Sequence, residues 1–147
     1  DVADAFVDQT TPDTNYGTNT ALRVDDSPLK RSYLRFNVSG IRGTVTKATL
    51  RIYADSSGSD LRAYRLATDG GWQENTITWN NAPALGTMIG SASPVTGGTW
   101  VDIDVTSLVQ ADGVHEFAVD TSGGTQIHLS SREDTGHAPQ IIVESTG

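Results

Sequence analysis

The chain has 147 residues, a length that fits one domain, and no cysteine, which excludes disulfide frameworks, thiolate metal sites and cysteine nucleophiles. Hydrophobic residues make up 36% and charged residues only 19%, so Ser, Thr, Asn and Gly supply the polarity, a profile of strands and turns rather than of helical bundles or disordered tails. The formal net charge of −8 excludes a general nucleic-acid binder, no run reaches the roughly 18 apolar residues of a membrane span, and no basic-then-apolar leader opens the sequence, so any export signal lies outside it.

Alternation of period two, broken by turn residues, predicts strands at 5–8, 21–25, 31–38, 47–54, 60–66, 76–80, 99–105, 115–120, 126–131 and 140–144. Thr-Pro-Asp at 11–13, Asp-Asp-Ser-Pro at 25–28, Asn-Ala-Pro at 81–83 and Gly pairs at 97–98 and 123–124 mark turns between them. The one helical candidate is a short turn at 106–111. Many short strands without a long amphipathic helix predict an all-β fold, an antiparallel β-sandwich, over a single domain of residues 1–147.

Alternation also assigns faces. Leu22, Val24, Leu34, Phe36, Val38, Ala48, Leu50, Ile52, Ala54, Ile127 and Leu129 form the predicted core. Arg23, Arg31, Tyr33, Arg35, Arg51, Tyr53, His128 and Arg132 point the other way; a one-residue slip of register would bury these charges at a cost of several kcal/mol. The strand near residue 62 mixes apolar and basic residues on both faces. Charge is uneven as well: nine of the ten basic residues lie between Arg23 and Arg65, a stretch of net +5 in a chain whose remainder is −13. A guanidinium fork matches a carboxylate bidentately, and a tyrosine ring can stack on a sugar while its hydroxyl bonds the sugar's edge. The eight residues therefore make a candidate ligand-binding strip for an anionic polysaccharide of the polyuronate type. The alternative is a solvated face whose arginines pair with acids across the strands.

Several short motifs run in order along nearly the whole chain: Asp4-Ala-Phe-Val-Asp8, Asn15-Tyr-Gly17, Leu22-Arg-Val24, Arg31-Ser-Tyr-Leu-Arg-Phe36, Ala48-Thr-Leu-Arg-Ile52, Trp72-Gln-Glu74, Ile77-Thr-Trp-Asn-Asn-Ala-Pro83, Trp100 with Asp104-Val-Thr106, and Ser131-Arg-Glu133 before Ala138-Pro139. This string resembles the DNRLRE-type domains, which include carbohydrate-binding module family 96. The resemblance implies a jelly-roll sandwich without catalytic residues, appended to secreted enzymes or surface proteins and so secreted or extracellular; a monomer is expected. It also implies fusion to a catalytic domain that the module tethers to an acidic polysaccharide such as alginate, with no nucleic-acid or membrane partner. By position, the Arg31/Arg35 strand and the Ser131-Arg132-Glu133 segment are the matching places for binding.

Three other readings stand beside this one. A structural Ca2+ is expected at an acidic set, with Asp4, Asp102 and Asp104 as the candidate metal residues. Trp72, Trp79 and Trp100 are read as core or loop anchors rather than as sugar platforms. Arg31-Ser-Tyr-Leu-Arg35 and Gln126-Ile-His128 faintly resemble segments of jelly-roll alginate lyases, in which arginine neutralises the uronate and His and Tyr move protons. Here the glutamate expected in the first segment is Tyr33, and the third lyase segment is absent. A ligand-free structural or adhesion domain of a surface protein is the remaining possibility.

Overall fold

The computed structural model describes residues 2–146, and among these every regular element is a β-strand. The strands are β1 (Ala3–Asp8), β2 (Ala21–Asp26), β3 (Leu29–Val38), β4 (Val45–Ala54), β5 (Leu61–Leu66), β6 (Leu85–Ala92), β7 (Thr99–Asp104), β8 (Gly113–Asp120), β9 (Ile127–Ser130) and β10 (Gln140–Ser145). All pairings are antiparallel. One layer runs β1-β3-β8-β5-β6; the other holds β7, β4, β10, β9 and β2. Strand β2 belongs to both: Ala21–Val24 pair with β9, and Asp25 and Asp26 turn into β3. At the far seam β6 and β7 approach so closely that a Cβ on Gly90 would lie 2.4 Å from the carbonyl oxygen of Asp104.

The core between the layers contains every residue that alternation placed there, with Val38 packed at its margin. The mixed strand resolves itself: Leu61 and Ala63 face this core, while Arg62 and Tyr64 face outward. One predicted strand is not formed, and one strand that is formed was not foreseen. Residues 76–80 form turns rather than a strand, whereas the short turn expected at 106–111 is present, its Leu108 and Val109 N–H groups both donating to the Val105 carbonyl. The strand Leu85–Ala92 was not predicted, because Gly86 and Gly90 interrupt its apolar alternation.

The outer face of the first layer is not open. Residues 67–84 cross it and bury Trp72 and Ile77 against Ala3, Ala5, Val7, Tyr33, Leu66 and Ala118, a second apolar cluster that Trp79 and Leu85 flank. Two polar anchors fasten this crossing. The Tyr33 hydroxyl donates to the Pro83 carbonyl at 2.8 Å. Arg35 donates through Nε and Nη2 to Glu116 at 3.0 and 2.8 Å, and through Nη2 to the Trp72 carbonyl at 2.7 Å. Glu116 is 3% exposed, so the guanidinium offsets a charge that burial alone would make costly.

Candidate functional site

The sandwich divides the predicted strip. Arg31, Tyr33 and Arg35 alternate with Leu34 and Phe36 on β3 and face away from the core through the first layer. Arg51 and Tyr53 on β4, Arg23 on β2 and His128 on β9 face away through the second layer. They therefore point to opposite sides of the molecule, and one continuous arginine strip is not formed. Tyr33 is fully buried beneath residues 67–84, Arg35 is engaged by Glu116 and Trp72, and Arg31 lies with its Cζ 5.0 Å from the Trp79 ring centre. Alternation assigned these faces correctly, but it carries no information about a loop folding over one of them. The same division separates Arg31 and Arg35 from His128, so the lyase-like constellation is not assembled.

Four of the eight residues remain on the outer face of the second layer, and two more join them: Trp100, read from the sequence as a core or loop anchor, and His137, to which the sequence assigned no role. Tyr53 and Trp100 are register partners on β4 and β7, with ring centres 5.4 Å apart and nearly perpendicular. His137, from the segment between β9 and β10, stacks on Tyr53 at 4.1 Å and lies 5.9 Å from Trp100. The Arg51 Cζ stands 4.8 Å from the Trp100 ring centre. Trp100, Tyr53 and His137 are all half-buried, so ring area remains for a ligand. Of the two roles read for Trp100, core or loop anchor, the first is not met: it lies outside the core and contacts the β9–β10 segment through His137. Its alternation with Val101 and Ile103, both in the core, was the signal that places it outward.

The cations on this face are held unequally. Arg51 donates through Nε to Asp102 at 3.1 Å, but the Asp102 side chain is 59% exposed and the pair is weakly fixed. Arg23 lies opposite His128 in the β2–β9 ladder, its Cζ 5.3 Å from the Phe6 ring centre, and its buried Nε has no hydrogen-bond partner. Burial and the neighbouring Arg23 charge hold His128 below the ordinary imidazole value, against a weaker pull from Asp55. At neutral pH it is therefore an uncharged hydrogen-bonding group, in contact with Gln126 Nε2 at 2.6 Å.

Arg132 is turned to a different task. Its Nε and Nη2 grip Glu74 at 2.7 and 3.0 Å, and its backbone N–H donates to Asp4 Oδ2 at 2.9 Å. The Asp4 backbone N–H in turn donates to Glu74 Oε1 at 3.0 Å. Asn15 Nδ2 donates to the Glu74 and Ile77 carbonyls, and the chain at Gly17 passes so near Glu74 that a Cβ would lie 2.0 Å from its carbonyl oxygen. The motifs at 4–8, 15–17, 72–74, 77–83 and 131–133 thus meet at one node. Asp4, Glu74 and Glu133 offer carboxylate oxygens within 4.8 Å of one another. The expected metal set is not assembled: Asp4 is grouped with Glu74 and Glu133, while Asp102 pairs with Arg51 and Asp104 accepts from Thr106 Oγ1 and the Thr106 backbone.

Comparison with known proteins agrees with this architecture. A gellan lyase from Bacillus sp is 24% identical over 96% of the chain, which spans only 6% of that protein's length. The sequence pattern of carbohydrate-binding module family 96 matches residues 1–145. With an all-β sandwich in place and the match covering nearly its whole length, the chain belongs to carbohydrate-binding module family 96.

Proposed function

We propose that this domain is a non-catalytic module that binds an acidic polysaccharide on the outer face of the second layer and tethers a fused, secreted enzyme to it. The observation that carries this reading is the half-exposed cluster of Tyr53, Trp100 and His137 with Arg51 at its edge. Aromatic rings provide a shelf for the apolar face of a sugar ring. Arg51 can exchange its solvent-exposed partner Asp102 for a sugar carboxylate, and Arg23 offers a second guanidinium on the same face. One such contact is weak, so binding depends on several sugar units being held together. The similarity to a protein named as a gellan lyase supports an acidic ligand and a catalytic neighbour.

Affinity electrophoresis tests this. Alginate and gellan are expected to retard the domain, with retardation falling as salt rises, and a neutral glucan is expected to leave it unretarded. Arg51→Ala and Tyr53→Ala should each weaken retardation about tenfold. Equal retardation by neutral and acidic polymers, or full binding by both variants, would remove the case for this face.

A further inference from the structure

We infer that the node joining β1, residues 67–84 and the segment after β9 is a calcium-binding site, with Asp4, Glu74 and Glu133 as its carboxylate ligands. Their oxygens lie within 4.8 Å of one another, and opposite ligands of a calcium shell stand about twice 2.4 Å apart. All three donors are hard oxygens, and no histidine or cysteine joins them, which favours Ca2+ over zinc or copper. Mg2+ demands near-ideal octahedral geometry, whereas Ca2+ accepts an irregular oxygen set such as one buried and two half-buried carboxylates.

Charge gives a second argument. Three carboxylates face one guanidinium, that of Arg132, which bonds Glu74 and stands 3.7 Å from Glu133. The cluster therefore carries a local excess of negative charge, which a divalent cation would offset.

The third argument is independent of the clustering. Asp4 is 1% exposed, and its Oδ1 is buried with no hydrogen-bond partner while its Oδ2 accepts from the Arg132 backbone. An unpaired buried carboxylate oxygen is costly, and a bound cation removes that cost. The three carboxylates are thus crowded around the buried, unpaired Asp4 oxygen. The fold builds this crowding deliberately, since Asn15 and Gly17 fix the backbone from which Glu74 projects.

Chelator-treated protein titrated with CaCl2 provides the test, by calorimetry and by thermal unfolding. One ion per chain is expected, with a melting temperature raised by several degrees at millimolar Ca2+. Glu133→Gln, which leaves the Arg132–Glu74 pair in place, should weaken binding at least about tenfold, and Asp4→Asn should abolish the calcium response. Should Asp4→Asn fail to fold, Glu133→Gln alone decides. Absence of heat and of any melting shift at millimolar Ca2+ overturns the inference, as does an unaltered calcium response in Glu133→Gln.

Discussion

Two arginines that look alike in sequence, Arg35 and Arg51, have different work to do. Arg35 holds a glutamate that is almost wholly buried, so Arg35→Met strands that charge and should destabilise the domain by about 3–5 kcal/mol. Arg51 pairs with an exposed aspartate, and Arg51→Ala should change stability by less than about 1 kcal/mol while weakening polymer binding. Urea unfolding of the two variants checks this, and comparable losses in both would contradict it. Alternation could say that both guanidinium groups leave the core, because their neighbours Leu34, Phe36, Leu50 and Ile52 are apolar. It could not say that Trp72 and Glu116 wait for one of them, since those contacts join positions 37 and 81 residues away. The carboxylate node was hidden for the same reason: Asp4, Glu74 and Glu133 show no ligand spacing in the sequence and meet only after the chain has crossed both layers.

Among the elements, the long regular strands were legible and the glycine-broken one was not. β3 and β4 alternate without interruption, whereas β6 contains Gly86 and Gly90 and carries register shifts against β5. Those glycines are what the packing requires. Gly90 lets β6 lie against Asp104 of β7, where a methyl group would sit 2.4 Å from a carbonyl oxygen. Gly90→Ala should therefore push the two layers apart at this seam and cost about 1–3 kcal/mol, read as a lowered urea midpoint with an unchanged slope. A wild-type midpoint would show that the seam yields freely. The opposite error occurred at 76–80, where Thr-Ile-Thr-Trp-Asn alternates like a strand. There Ile77 and Trp79 turn toward the outer face of the first layer, and local alternation cannot distinguish a strand's buried side from a loop's anchoring residues.

For the molecule as a whole, acid sets the lower limit of stability. Burial opposes ionisation of Asp60, but hydrogen bonds from Ser122 and Thr121 and the charge of Arg62 outweigh it and hold the carboxyl below its ordinary value. Asp8 is lowered in the same way, against its burial, by Thr10 and Lys30. Their stabilisation is complete above the unfolded value of about 4 and is lost as pH falls through the lower folded values, where the unfolded chain binds more protons. The melting temperature should fall steeply below about pH 4, and Asp60→Asn should flatten that fall. An identical acid limb in wild type and variant would show that Asp60 contributes nothing. Both carboxylates fasten connections between strands, so their protonation loosens several elements at once.

The connection from β9 to β10 stands with a foot in two places: Glu133 among the clustered carboxylates, and His137 flat against Tyr53. The backbone between them is tied in short steps, Asp134 to Ser131 and His137 to Asp134. If the carboxylate cluster holds the inferred ion, its withdrawal would slacken the segment that sets His137 against Tyr53. On the proposed polymer-binding face, a chelating wash would then act as an eluent.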